Sequence, residues 1–391
     1  MSFPIMLFAG LDFPSLPQQL VNGLELGAIY ALLALGYTMV YGVLKLINFA
    51  HGEVYMLGAY IALFTSWALG FGPGKMAAAT NNPFALVVML IASMVGCAVI
   101  GVLIERFAYR PMRNQSRIAS LITAIGVSML LQYGGTIFLP NSPPPNISEN
   151  VNPYRGSIEI PIVPRNAALK AKELALLKVS DDDEAAFNAY LQRTGEGEFG
   201  VSAPGIPLRD AARASDRAYN QAKNAAEATG LVITVETGQA IIFGMAVLLM
   251  ALLSYIVRFT PAGRAMRAVS LDFDSAALMG IDVNKIVVFT FIIGSSLAGA
   301  GAMMTATFLG TPLIPFYGLV PGLKAFVAAV LGGIGNIPGA VLGGILMGVA
   351  ETLVVWAGYS SYRDAIAFVI LIGVLLVRPG GLLGSAKVEK V

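Results

Sequence analysis

The sequence predicts an all-α polytopic membrane protein, a bundle of about eight or nine transmembrane helices with a largely helical extracytoplasmic insert. Three observations predict it. Hydrophobic residues fill 56% of the 391 positions and charged residues only 12%, against about 25% charged in a soluble chain. The charges are also concentrated: 13 of the 23 acidic and 10 of the 25 basic residues fall between Pro140 and Thr237. The rest is a succession of nearly uncharged runs of about 20 residues, the length a helix needs to cross the hydrocarbon core.

Composition also excludes. A single cysteine, Cys97, and a single histidine, His51, leave no internal disulfide and no multi-ligand metal centre. A net charge of +2 gives no basis for nucleic-acid binding, and the lipid bilayer is the expected surround. The opening MSFPIMLFAGLDFPSLPQQL has no cationic segment and does not resemble a cleaved signal peptide.

The expected spans are 20–43, 54–72, 84–104, 118–139, 239–259, 286–309, 319–336, 339–357 and 364–378. Gly322, Gly332, Gly333, Gly335, Pro338 and Gly339 interrupt the last ones, so eight spans plus a re-entrant segment is an open alternative. Basic residues in short loops set the orientation. Arg106, Arg110, Arg113 and Arg117 follow span three; Arg258, Arg264, Arg267 and Lys285 follow span five; Lys45, Arg378, Lys387 and Lys390 agree. They predict an outside N-terminus and a cytoplasmic C-terminus. The chain then divides into N-terminal transmembrane helices (1–139), a periplasmic insert (140–237), and C-terminal transmembrane helices (238–391) with a cytoplasmic loop at 263–285.

The insert opens with NSPPPN, a stiff extended start. Ser180 before Asp181, Asp182, Asp183 and Glu184 reads as an N-cap with acids in the first turn. Leu208, Ala212, Ser215, Tyr219, Ala222 and Ala226 repeat with a seven-residue period, which predicts a closely packed helical hairpin. An alanine-rich solvated helix without a partner is the other reading. Inside the spans, small residues recur at four-residue spacing: Gly294, Ala298 and Ala302; Ser295 and Gly299; Gly339 and Gly343; Gly344 and Gly348. Lipid gives helices no hydrophobic reason to associate, so close backbone approach must do so.

Motifs point away from catalysis. The phosphate-cradling G-x-x-x-x-G-K-[ST] is absent, and GFGPGKM around Gly74 and Lys75 has the wrong spacing. His51 has no neighbouring serine to activate. No enzyme is expected. The stretch GRAMRAVSLDFDSAALMGIDVNKI, from Gly263 to Ile286, is too polar to span and too patterned for a slack linker. Asp274 and Ser275 are placed to cap a short helix carrying Ala276, Ala277 and Leu278, and Gly280 to stop it. Such an element is either a docking knob for another protein or a loop helix packed on its own bundle.

DSAALMGID before an apolar span resembles the coupling loop of ATP-binding cassette (ABC) importer permeases. NGLELGAIYALLALGYTMVYGVLKLINFAHGEVYMLGAY resembles the opening of bacterial branched-chain amino acid permeases of the LivH type. The resemblance covers 17–139 and 238–384. It implies coupling to ATPases through Asp274, Ala276, Ala277, Gly280 and Asp282, in the bacterial inner membrane. It further implies a second related permease subunit, two cytoplasmic ATPase subunits that bind the ATP, and a periplasmic amino-acid-binding protein delivering leucine, isoleucine or valine. No cofactor of the chain's own is expected. Members of this kind usually have a much shorter loop where the insert stands, and relatives in the superfamily carry urea or short amides. An ion-coupled secondary transporter is the rival from another class. It would place charges mid-span, where only Glu351 and Lys324 lie; Glu25 sits near the start of span one.

Between spans one and two, INFAHGE brings Asn48, His51 and Glu53 together, expected at or just within the cytoplasmic boundary. Ionisable groups at membrane depth are expensive and tend to line cavities. These three either line or close the inner end of a translocation path, or cap the break between helices. GIGNIPGAVLGG, with Asn336 and Gly339, echoes that break near the C-terminus, as an internal repeat with two broken segments facing one site would.

Overall fold

The computed structural model describes residues 15–71, 83–113, 115–142, 145, 147, 156–163, 166–194, 202–227 and 231–384. The extreme N-terminus, Gly74 and Lys75, most of the proline-rich entry to the insert, and Lys387 and Lys390 lie outside the described residues. The chain runs α1 (Leu16–Leu44), α2 (His51–Ala68), α3 (Pro83–Ile104), a π-helical turn (Glu105–Tyr109) and α4 (Arg117–Phe138). Next come β1 (Ser157–Val163), α5 (Ala167–Thr194), α6 (Ile206–Glu227) and β2 (Leu231–Glu236). The last part is α7 (Thr237–Phe259), α8 (Pro261–Leu271), α9 (Phe273–Leu278), α10 (Val283–Phe308), α11 (Leu319–Gly332), α12 (Ile337–Trp356) and α13 (Ala365–Val377).

Among the described residues, six helices are long and apolar enough to cross a membrane: α1, α3 with its extension to Met112, α4, α7, α10 and α12. The apolar helices α2, α11 and α13 occupy the other expected positions at 18, 14 and 13 residues. The chain is an all-α polytopic membrane protein, and its side chains are sorted accordingly. Along α3, Val87, Ile91, Val95, Val99 and Leu103 form an exposed apolar stripe, while Met89, Ser93, Cys97, Gly101 and Ile104 are buried on the other side. That apolar outer face is the arrangement lipid requires. In contrast, α1 is buried on every side from Gly27 to Val40 and α10 from Leu297 to Thr307.

Small residues bring these helices together. A Cβ added to Gly27 would sit 2.7 Å from the Ile345 Cα, and one on Gly348 would sit 2.5 Å from the Gly27 Cα, so α1 and α12 touch backbone to backbone. A second seam joins α2, α3 and α10. There the Ser93 hydroxyl lies 2.9 Å from the Gly58 carbonyl oxygen and 2.8 Å from that of Gly299, sharing its proton between them.

After α1 the chain reverses through Lys45, whose φ of 55° is in the left-handed region. It then turns back into the bundle instead of leaving it. His51 therefore packs against Gly36 and edge-on to the Tyr37 ring at 4.7 Å. Gly36 precedes the end of α1 by eight residues, roughly 12 Å of helix at 1.5 Å per residue. His51 thus lies beside the body of α1 and not beyond its end.

The insert is a separate unit. Helices α5 and α6 pack along the expected repeat: Ser215 and Ala222 are buried, with Leu208, Ala212 and Tyr219 half-buried, while α5 buries Glu173, Ser180 and Phe187 at the same period. Ser180 is not an N-cap. The preceding AALKAKELALLKV is rich in strong helix formers, so α5 begins at Ala167, where the Asn166 side chain accepts from the Ala168 N–H. A two-stranded sheet of β1 and β2 is also present. Its runs SIEIPIV and LVITVE are dense in β-branched residues, a signal the helical repeat obscured.

Three outcomes are expected. Gly348→Leu forces a side chain into the α1 backbone, so it lowers the thermal stability of the detergent-purified protein by about 1–3 kcal/mol or more. Gly126→Ala, with open space around it, leaves the melting point unchanged. Removal of the insert is tolerated, because the Thr237 N–H and hydroxyl both donate to the Gly156 carbonyl at 2.8 and 2.7 Å, holding the two cut ends together. Replacing 157–235 with a short Gly/Ser linker leaves helicity and membrane insertion intact; a protein that fails to reach the membrane refutes this.

Candidate functional site

The fold-back places three polar side chains in the interior. Asn48, His51 and Glu53 are all nearly fully buried. The Tyr109 hydroxyl, on the π-helical turn, lies 3.0 Å from Asn48 Oδ1 and 3.3 Å from the Ile47 carbonyl oxygen. Ser128 on α4 donates to Glu53 Oε1 at 3.3 Å, while Glu53 Oε2 has no hydrogen-bond partner. Glu53 lines a cavity of about 220 Å³ together with Tyr37, Ser128, Gln132, Leu323 and Phe326. Gln132 is 7% exposed and its side-chain amide nitrogen is likewise without a partner. Helices α2 and α11 begin at this cavity because Gly52, Gly318 and Gly322 let the two chains approach backbone to backbone.

Of the four residues expected to share one path, Glu53 lines the cavity and Asn48 and His51 do not. Asn336 is elsewhere. It caps α12, accepting from the Gly339 N–H at 3.1 Å and donating to the Leu383 carbonyl at 2.7 Å. The facing broken segment is instead the start of α11. Ser128 and Gln132 escaped notice in the sequence, although polar residues four apart on an apolar helix share one face.

A second buried cluster absorbs the mid-span charges. Lys324 Nζ lies 2.8 Å from Glu351 Oε1 and 2.7 Å from Asp364. Glu351 also accepts from Arg363, and its other oxygen accepts from the Tyr30 hydroxyl at 2.7 Å. Every oxygen of this carboxylate is therefore engaged, as burial demands.

The loop between α7 and α10 is built from capped pieces. Thr260 caps α8, with Pro261 at its first turn, and α8 buries Gly263, Met266 and Val269. Asp272, not Asp274, caps α9: its side chain accepts from the Ser275 N–H, and that bond holds its carboxyl below the usual carboxylate range. Asp274 lies in the first turn instead. Gly280 ends the element at φ +83°, with its N–H on the Ala277 carbonyl and that of Ile281 on Ala276. Asp282 caps α10 through the Lys285 N–H at 3.1 Å, and its pKa too is depressed by that bond. Ala276 is 4% exposed and anchors the loop to its own bundle, whereas Ala277 is exposed. The large apolar side chains facing outward are Leu271, Leu278 and Met279, at 87%, 88% and 83% exposure. Behind the loop, Arg113 donates to Asn284 on α10 at 2.7 Å and pairs with buried Glu105 at 3.0 Å. Glu105 also holds Arg110 at 2.9 Å.

A membrane bundle with a largely apolar cavity that holds a few polar groups, and a capped loop bearing exposed apolar side chains, fits a transport permease. The comparison with known families is specific. The chain belongs to the family of the branched-chain amino acid transport system permease component, whose model matches residues 19–163 and 209–375. The interruption in that match falls within the insert. Over 377 residues the chain is 35% identical to the high-affinity branched-chain amino acid transport system permease protein LivH of Escherichia coli (strain K12), covering 96% of this chain and 97% of that protein. It is 37% identical over 374 residues, at the same coverage, to the corresponding protein BraD of Pseudomonas aeruginosa. A ribose import permease, RbsC of Haemophilus influenzae, is 32% identical over 129 residues, 31% of this chain and 40% of that one. No solved structure matches the chain.

Removing one member of the buried ion cluster is expected to cost more than removing the pair. Glu351→Leu leaves Lys324 short of a counter-charge and lowers stability by about 3–5 kcal/mol. The double variant Lys324→Met, Glu351→Leu lies closer to the wild type than either single change. Thermal unfolding in detergent measures all three; a double variant worse than both singles contradicts it.

Proposed function

We propose that the chain is the permease subunit of an ATP-driven importer that carries aliphatic, branched-chain α-amino acids across the bacterial inner membrane. Its relatives' names supply the substrate class. The observation that carries the coupling is the loop at 263–285. Two aspartate caps and Gly280 stiffen it, Ala276 roots it in the bundle, and Leu278 and Met279 are held out of any interior. Exposed apolar side chains grouped on a fixed element mark an interaction site. Two cytoplasmic ATPase subunits bind there and supply the ATP chemistry, which this subunit lacks. A second related permease completes the path, and an extracytoplasmic binding protein delivers the amino acid. The ion-coupled alternative rested on Glu351 and Lys324, which neutralise each other.

In this reading the N-terminus is outside, the C-terminus cytoplasmic, and residues 140–237 extracytoplasmic. Cys97 is buried, so Cys97→Ala removes the native thiol, and a cysteine at exposed Asp182 reports the insert's side. Labelling by an impermeant reagent is expected in intact spheroplasts; labelling only after permeabilisation sinks the orientation.

Docking is tested by charge. A carboxylate forced into an apolar groove without a partner is costly, so Leu278→Glu with Met279→Glu is expected to abolish both leucine uptake in vesicles and co-purification of the ATPase subunits. The variant still folds, because both side chains point to solvent. Uptake that survives, or that runs without ATP, refutes the importer reading. Gly280→Asp is a poorer probe, since its φ of +83° strains any other residue.

A further inference from the structure

The cavity beside Glu53 contains an arrangement that the permease reading alone does not require. Glu53 on one wall and Gln132 on another line the same space, and each has a buried side-chain atom, Oε2 and Nε2, without a protein partner. Buried polar groups are nearly always paired, so two unpaired ones of opposite hydrogen-bonding character on residues that line one cavity point to a solute that carries both complements. The remaining walls, from Phe49, Ile125, Met129, Leu323 and Phe326, are apolar. At about 220 Å³ the space lies below the roughly 300–1,000 Å³ of drug-sized ligand pockets, the scale of a small metabolite.

We propose that this cavity is a subsite for a zwitterionic aliphatic α-amino acid within the permease itself. It rests on the importer reading and adds to it where the substrate pauses. The Glu53 carboxylate accepts the ammonium group, with Ser128 holding the other oxygen in place. The Gln132 amide donates to the substrate carboxylate. The first turns of α2 and α11 both border the cavity through Gly52, Glu53, Gly318 and Leu319. The aliphatic side chain rests against Leu323 and Phe326. A neutral amide or urea offers Glu53 no cation, so this site favours amino acids over the uncharged solutes of related systems.

The test uses the full complex of permease, ATPases and binding protein in proteoliposomes, with initial leucine uptake and binding-protein-stimulated ATP hydrolysis read in parallel. Loss of a charged hydrogen bond is worth about tenfold or more, so Glu53→Gln is expected to slow uptake by that factor while ATP hydrolysis persists. Glu53→Asp, which keeps the carboxylate, retains most of the uptake, a rescue that a merely structural role would not give. Gln132→Leu slows uptake likewise and decides the matter if Glu53→Gln does not assemble. Wild-type uptake with both variants within twofold of it overturns the subsite and leaves the importer standing. Absence of ATP-dependent leucine uptake in the wild-type complex overturns the importer reading instead.

Discussion

Backbone-to-backbone contact through glycine is the constraint on which this bundle depends. In water, apolar side chains would drive helices together; in lipid that drive is absent, and association relies on close van der Waals approach and shared hydrogen bonds. Gly23 and Gly27 against Val349, Ile345 and Gly348 fix α1 to α12. Gly58 and Gly299, joined by the Ser93 hydroxyl, fix α2 to α3 and α10. The large side chains are then free to face outward, as the stripe on α3 does.

The same device creates the interior site. A helix that starts at membrane depth exposes backbone groups that lipid cannot satisfy. Here the starts of α2 and α11 are set against each other, with Gly52 in contact with Gly318 and Gly322, so protein surrounds both. Larger residues would hold the two starts apart and open them to lipid. The reversal at Lys45 has an equivalent cost: a non-glycine residue in the left-handed region is tolerated only where the surroundings over-determine it. Tyr109 helps to do so, bonding to Ile47 and Asn48 just beyond the turn.

What the sequence made legible was whatever repeats. Apolar runs of span length, four-residue spacing of small side chains and the seven-residue stripe of α6 are all periodic or compositional, and the apolar helices fall where such a signal placed them. The oddity of INFAHGE was legible too, as polar residues in a greasy chain. Its packing against α1 was not, because that follows from one dihedral at Lys45 and from Gly36 making room for an imidazole. The loop at 263–285 was legible as a capped helix, but the cap moved from Asp274 to Asp272 and Ala276 turned inward, since one residue of register rotates a helix face by about 100°. Lys324 and Glu351 read as isolated mid-span charges; their pairing across 27 positions is a property of how α11 and α12 pack. Ser180 and the two strands show the converse error, where a strong local motif outweighed the propensity of a longer run.

The two sets of buried charge can finally be set against each other. Both lie in a bundle where an isolated ion is costly, and both are held by groups from several helices. Around Glu351 the protein supplies a lysine, an arginine and a tyrosine, leaving no acceptor open. Around Glu53 it supplies one serine and withholds the rest, although Gln132 stands on the same wall of α4, one turn away, with donors unused. The fold shows at Glu351 that it can neutralise a carboxylate completely. The incomplete shell at Glu53, at the meeting of two helix starts, is the physical difference from Glu351 on which the proposed subsite rests.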